Sequence, residues 1–599
     1  MNPNADRPDD ESAPTPAYEE VRAPVLVVGA GAAGARTAIE LQERGVEPLV
    51  VGKRDHGDAH TTWAAGGINA ALGSLDPEDD WAIHAADTLN EGHFVNDPEA
   101  VELVAKTMPD RIRELDEWGA NFDRTEDGKI NQRYFGAQSF RRTVFRGDET
   151  GRAVLDALVS RAQELEVPYR ENVMVTTLLS DGSRVYGAAG FDMEDGRFLL
   201  FVADHVVLAA GGFSAVYDRH SSRDDENTGD GPALAYDAGA SLLDVEFVKF
   251  HPTGMVQLDR YDEDWSGELV TEAVRGEGGR LYNGEGERFM ERYSPDQMEL
   301  DARDVVARAI AQEIREGRGT EAGGVHLDIS HRDGSFIRER LPKMYERFQS
   351  LGVDMAEDPV VVAPTAHYTM GGVAIDATTG ETGVDRLYAV GETAAGVHGA
   401  NRLGGNSLAE TVAIAPYVGR HVAERIAAGE TDDELDADAR RAAEREYRRL
   451  DRLERAEGDV RPRELVAELR ETMWEHAGIL RDADRLGDGI DRVRELRDRM
   501  DDLRVEGDRT GRDFEFAVDL PFMLTAAEAT LVAARYRTES RGAHFRDDHP
   551  ETKAEWRVNV LVERDGSDAN VRTRSVAEPS DPVREALAAG YELDYHHLE

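Results

Sequence analysis

An α/β fold built on a parallel sheet is what the 599-residue sequence predicts. Three observations carry this. Apolar runs at 25–28, 206–208 and 387–390 each leave through glycine. The first is followed by a helical pattern and a further apolar run at 49–51. Beyond residue 421 the composition shifts to Arg, Glu, Asp and Ala at helical spacing. Apolar runs with glycine exits, drawn from distant parts of the chain, read as buried strands of one sheet.

Residues 1–23 are acidic and polar, contain proline and lack an apolar signal-peptide core. They read as a disordered tail. Next comes Gly29-Ala30-Gly31-Ala32-Ala33-Gly34, then a helical stretch with Ala38, Ile39 and Leu41 apolar, stopping at Gly45. Strand, glycine-rich turn, helix and strand make the first unit of a Rossmann-like, dinucleotide-binding fold. Gly29 permits the tight turn, Gly31 lets backbone approach a pyrophosphate, and Gly34 lets helix pack closely on sheet. The helix N-terminus offers free N–H groups and a positive dipole end to phosphate. The acidic residue that usually binds a ribose hydroxyl is missing. The second strand runs instead into Gly52-Lys53, which weakens a simple NAD reading and makes Lys53 a candidate cofactor contact.

The nucleotide-binding domain is therefore expected at 24–245 plus 365–420, with 246–364 as an inserted α+β domain. At 421–512 Leu465, Leu469 and Met473 recur at i+4, and Ile490, Val493, Leu496 and Met500 at i+3 or i+4. These are amphipathic helices whose charged faces are solvated. Residues 513–599 form a mixed C-terminal domain.

Composition narrows the function. With 70 basic and 120 acidic residues the net charge is −50, and lysine occurs only at Lys53, Lys106, Lys129, Lys249, Lys343 and Lys553. Such a surface repels nucleic acid and anionic membranes and suits a salt-rich cytoplasm. The absence of cysteine removes disulfides, a Cys nucleophile and thiolate-ligated zinc or iron–sulfur sites held by this chain alone. No metal-ligating set is assigned. No apolar run is long enough for a membrane span, so membrane contact is expected only through partners.

Three clusters bear on chemistry. They are Phe250-His251-Pro252-Thr253-Gly254; Thr271-Glu272-Ala273-Val274-Arg275 with Arg303-Asp304; and His367-Tyr368-Thr369-Met370-Gly371-Gly372 with Arg402. Two His and two or three Arg brought together suit a small dicarboxylate, because the planar guanidinium forks onto carboxylate. The glycine-dense stretch 391–410 holds Glu392, His398 and Arg402, and implies backbone pressed against a large flat or phosphorylated ligand. His398 receives no role. Tyr134, Trp63 and the Arg141-Arg142 pair read as core or structural.

With Ala64-Ala65-Gly66-Gly67-Ile68-Asn69 and Asn401-Arg402-Leu403-Gly404-Gly405-Asn406-Ser407-Leu408 added, the chain resembles the flavoprotein subunit of the succinate dehydrogenase/fumarate reductase family. The resemblance runs from about 24 to 420 and resumes at Arg541-Gly542-Ala543-His544. It implies FAD bound by Gly29, Gly31, Gly34, Lys53, Gly66, Gly67, Glu392, Ser407 and Leu408, under a capping domain. It implies His251, Thr271, His367 and Arg402 on the substrate carboxylates. Arg303 matches the residue that passes a proton to or from the substrate, and Glu272 and Arg275 match its relay. His60 matches the family histidine that bonds covalently to the flavin. Ala65 departs from the Gln common there, and a noncovalent flavin beside a bystander His60 is the other reading. The implied partners are a C4 dicarboxylate and an iron–sulfur subunit, with a membrane anchor beyond it. The rival within the superfamily is L-aspartate oxidase, whose members resemble one another in carrying Glu where Phe135 falls. An apolar ring cannot pair with a substrate ammonium.

Overall fold

The computed structural model describes residues 18–591 apart from 259–260, 262–264, 432–434, 436 and 567. Of the expected tail, residues 1–17 lie outside the described residues. The remainder is not tail: Glu19–Val28 is one ten-residue strand. Residues 19–23 pair in parallel with 199–203, which satisfies their backbone groups. Glu20, Arg22 and Pro24 face out while their neighbours are half-buried, the period-two signature of a sheet with one wet face.

The main sheet runs Tyr169–Arg170, Pro48–Val51, Glu19–Val28, Phe198–Leu208, Val185–Asp192, Val173–Ser180, with Leu387–Ala389 also on Phe198–Leu208. The first four and Leu387–Ala389 are parallel, and the other two pair antiparallel. Beyond residue 24 both faces are covered, so the strands there read as continuous apolar runs. Val25 and Val27 pack with Ile39, Val412 and Val418 from helices Ala32–Glu43 and Asn406–Ala427. Leu26 and Val28 pack toward Phe191, Phe201 and the C-terminal helices.

Above the carboxyl ends of these strands stands a four-stranded antiparallel sheet, Val248–Met255, Val360–Thr369, Val325–Asp328, Arg280–Tyr282 in spatial order. It has its own core, including Val306, Ile310, Leu327 and Phe348. Its helix Arg303–Arg315 packs back on Val248–Met255.

Helices Ala437–Glu454, Pro462–Ala477 and Ala483–Arg499 bury Leu465, Leu469, Met473, Ile490, Val493 and Leu496. The division expected at 512/513 does not separate these helices from the C-terminal region. Arg512–Tyr536 is their central helix, packing on both Pro462–Ala477 and Ala483–Arg499. It is buried on nearly all sides, and by length and composition it passes for a membrane span, yet 78% of that window is buried inside the protein. The hairpin Val558–Asp565 and Asp568–Ser575 joins Leu242–Leu243 in a separate sheet and ties the C-terminal region to the nucleotide-binding part.

Candidate functional site

The glycine turn behaves as its spacing requires. Gly29 has φ +107, and a Cβ there would lie 2.2 Å from the Ala209 carbonyl oxygen. A Cβ on Gly34 would lie 2.0 Å from Gly29 O, so only glycine lets this helix approach the sheet. Gly31 is the N-cap of Ala32–Glu43. Helix Asn406–Ala427 places Ser407 and Leu408 in its first turn, where backbone N–H groups lack intrahelical acceptors. The two helix N-termini meet at Gly391, where a Cβ would touch Ala33 at 2.8 Å and Thr411 at 3.6 Å. Two convergent helix starts at the glycine exits of a parallel sheet fit the phosphates and polar rim of a dinucleotide.

Glu392 lies beside this edge, its Oε1 accepting from the backbone N–H of Thr369 at 3.0 Å and from Thr369 Oγ1 at 3.2 Å. Burial pushes its carboxyl up. Gly66 and Gly404 flank Phe135: a Cβ would meet the ring at 2.6 Å and 2.0 Å respectively. The protein's own phenyl ring thus fills part of the space that the glycines around 404 leave. Lys53 differs from expectation. Its ammonium is held by Asp230 at 2.8 Å and Asp519 at 2.9 Å, so its charge is balanced within the protein. Trp63, read as core, is 45% exposed and lies beneath Arg223. Arg142 is fully buried between Asp79 and Asp87.

His60 opens a short helical turn, with Nδ1 3.5 Å from Glu226 Oε2. Burial pulls its imidazole down, but Glu226 outweighs this and leaves it raised.

The polar wall is assembled between sheet edge and cap. His251 and His367 come from the adjacent strands Val248–Met255 and Val360–Thr369, ring centroids 5.9 Å apart. Burial holds both imidazoles well below their ordinary value, and nearby guanidiniums push the same way. Thr253 N–H donates to His251 Nδ1 at 3.3 Å, which puts the ring proton on Nε2. His367 Nδ1 is 2.8 Å from Ser221 Oγ. The Arg402 guanidinium stacks on Tyr368 at 4.8 Å and donates to Ser407 Oγ at 3.1 Å. Its buried Nε has no hydrogen-bond partner among the described residues. Burial lowers its pKa to about 10, with Arg303 adding to the shift.

Arg303, at the start of its helix, bonds Glu272 through Nη2 at 2.5 Å and Nε at 2.7 Å and lies over the Phe135 ring at 5.1 Å. Glu272 follows Thr271 and begins the turn that carries Arg275. Arg275 is buried and donates to the Glu299 carbonyl at 2.5 Å, and its Nε and Nη2 have no partner among the described residues. Burial lowers it.

Sequence reading missed several neighbours. His398, left without a role, is buried against Glu410 at 2.6 Å and Tyr368 at 3.1 Å, beneath the ring that supports Arg402. Lys249, Glu91 and Asn401 form a second buried group behind Arg402. A lysine inside an apolar strand of an arginine-rich chain was the available signal.

A nucleotide-binding sheet edge, a cap, and a cluster of guanidiniums, imidazoles and one carboxylate between them define the class of flavin-dependent oxidoreductases. Residues 24–408 match the FAD binding domain family model, and 466–585 match the fumarate reductase flavoprotein C-terminal model. The chain is 43% identical to a fumarate reductase (CoM/CoB) subunit of Methanothermobacter marburgensis, over 90% of this chain and 97% of that one. It is 36% identical to the succinate dehydrogenase flavoprotein subunit of Rickettsia bellii, over 90% and 92%. Among solved structures, Mycobacterium smegmatis Sdh1 in complex with UQ1 aligns with TM-score 0.86 at 39% identity, covering 97% of this chain and 98% of that one. A quinol-fumarate reductase with menaquinol molecules aligns with TM-score 0.87 at 32% identity, over 94% and 100%. The chain belongs to the succinate dehydrogenase/fumarate reductase flavoprotein subunit family, and its cofactor is FAD. These relatives do not favour the aspartate oxidase alternative.

Proposed function

We propose that this chain interconverts succinate and fumarate and exchanges electrons with an iron–sulfur partner subunit. The observation that carries the reading is the Arg303–Glu272 ion pair, set among Arg402, His251 and His367. Bound FAD supplies a hydride acceptor or donor at its N5. Gly29, Gly31, Gly34, Gly66, Gly67, Glu392, Ser407 and Leu408 hold it, and His60 is its covalent attachment point.

Arg402 binds one substrate carboxylate through its fork, since among the described residues only Ser407 engages its guanidinium by a side-chain hydrogen bond. His251 donates from Nε2, His367 donates beside it, and Thr271 assists with its hydroxyl. These neutral rings and the guanidinium draw electron density toward the carboxylates as charge develops.

Arg303 gives the proton in fumarate reduction and takes it in succinate oxidation. Arginine is a poor acid in water. A closed site crowded with other cations lowers the cost of its losing a proton, and the ionised Glu272 in contact with it relays the proton that replaces the one lost. Arg275 completes the relay from Glu272 outward. The absence of cysteine requires that a thiolate-held cluster come from another chain. That partner also gives the chain its place at the inner face of a membrane, through an anchor subunit. The solved relatives named with UQ1 and menaquinol support a quinone as the distant electron carrier.

Arg303→Ala, assayed with a reduced dye and fumarate, is expected to lose turnover by about 10³-fold while retaining FAD. Undiminished turnover would remove Arg303 from the proton step.

A further inference from the structure

Lys249 lies two residues before His251 on the strand Val248–Met255 and is 3% exposed. A buried ammonium costs free energy unless its protons are used. Two of them are: Nζ donates at 2.8 Å to Asn401 Oδ1 and at 2.8 Å to the carbonyl oxygen of Arg402. The third side faces Glu91 Oε1 at 3.9 Å. Asn401 in turn donates to Glu91 at 2.8 Å and reaches Asp304 at 3.5 Å. Asp304 follows Arg303 in sequence and accepts from Arg308 at 2.7 Å.

One group of four side chains, Lys249 and Asn401 buried and Glu91 and Asp304 half-buried, therefore joins three pieces of the site. It holds the Arg402 peptide, the helix start that carries Arg303, and the strand that carries His251. In the ladder Lys249 pairs with Tyr368, the ring on which the Arg402 guanidinium lies. Arg402 is thus gripped twice, its backbone by Lys249 and its side chain by Tyr368.

We propose that Lys249 is a positioning residue for dicarboxylate binding: it anchors the Asn401–Arg402 segment and sets its ammonium behind the wall that meets the substrate. This rests on reading the site as a dicarboxylate site.

The groups facing Lys249 are Glu91 at the end of helix Trp81–Glu91, Arg303, Asp304 and Arg308 on the capping helix, Glu272 on the turn before Arg275, Arg402 on its loop, Tyr368 on the paired strand, and His251 on its own strand. Burial drags the ammonium down to about 7; Arg402 and Arg303 add to this, while Glu91 and Asp304 oppose it. The same burial raises Glu91. Below the pKa the charge is present and helps hold a dianion. As pH rises through it the charge leaves, and ionisation of Glu91 acts in the same direction.

The test is fumarate binding to the oxidised flavoprotein, which has no electrons to give, followed by flavin absorbance from pH 6 to 8.5. In the natural protein the dissociation constant should rise by about tenfold across this range. Lys249→Gln keeps a hydrogen-bonding group of similar reach without the charge. It should bind fumarate about tenfold more weakly at pH 6 and lose the pH step. Lys249→Met, lacking the bonds too, should bind more weakly at every pH, with KM affected more than kcat. A visible flavin spectrum and a melting temperature matching the natural protein's show that a variant's site is assembled. A flat profile in the natural protein overturns the proposal without any variant, as does a pH step of unchanged size in Lys249→Gln. No fumarate binding at any pH overturns the dicarboxylate reading itself, and the role of Lys249 falls with it.

Discussion

Nη2 of Arg303 stands 2.5 Å from Oε2 of Glu272, and Nε of the same guanidinium donates to that oxygen at 2.7 Å. Both side chains come from the cap, and the Phe135 ring lies beneath the guanidinium. The pairing aims the remaining Nη1 away from Glu272, and it puts a proton acceptor in direct contact with the proposed acid.

Burial pushes the Glu272 carboxyl up, but Arg303 and Arg275 together outweigh it and hold the group down to about 2. Glu272 is then ionised across the working pH range. Glu272→Gln should slow turnover by about 10²-fold with FAD retained. Because the folded value lies below the ordinary 4.5, the pairing stabilises the fold above about pH 4.5 and is lost as pH falls toward 2. Thermal melting from pH 5 to pH 3 should therefore decline less steeply in Glu272→Gln than in the natural protein.

Phe135 faces the guanidinium of Arg303 and packs on Gly66 and Gly404. Phe135→Glu introduces a carboxylate where a dianion is to bind. KM for fumarate should rise at least tenfold. An unchanged KM would place the substrate away from this ring.

Glu226 faces Nδ1 of His60 and raises its imidazole against the pull of burial. That orients the ring with Nε2 turned the other way. Acid-precipitated protein should stay yellow and give a fluorescent band on a denaturing gel, whereas His60→Ala should release its flavin into the supernatant. Colourless natural protein would make His60 a bystander.

A net charge of −50 repels itself in dilute buffer. Melting temperature should rise by about 10 °C or more between 0.1 M and 3 M KCl, since added salt screens that repulsion. Equal stability in both would end the salt-adaptation reading.

The parallel strands were legible because burial on both faces makes each a continuous apolar run. The glycine turn was legible because Gly29 and Gly34 are dictated by backbone contact. The strand at 19–23 was hidden because Glu19, Glu20 and Arg22 look like tail until residues 199–203 are laid beside them. Helix Arg512–Tyr536 blurred a boundary because its buried residues run all round it, with no amphipathic stripe to assign it to a neighbour. The pairing of Lys53 was hidden because its partners Asp230 and Asp519 lie far away in sequence. His398 stayed mute for the same reason, since Glu410 and Tyr368 meet it only in the fold.

Turnover of the purified protein with succinate, fumarate and L-aspartate, each with an artificial dye, tests the central claim most directly. Oxidation of succinate or reduction of fumarate, with no reaction of aspartate, is the result predicted. Rapid oxidation of aspartate with none of succinate would contradict it.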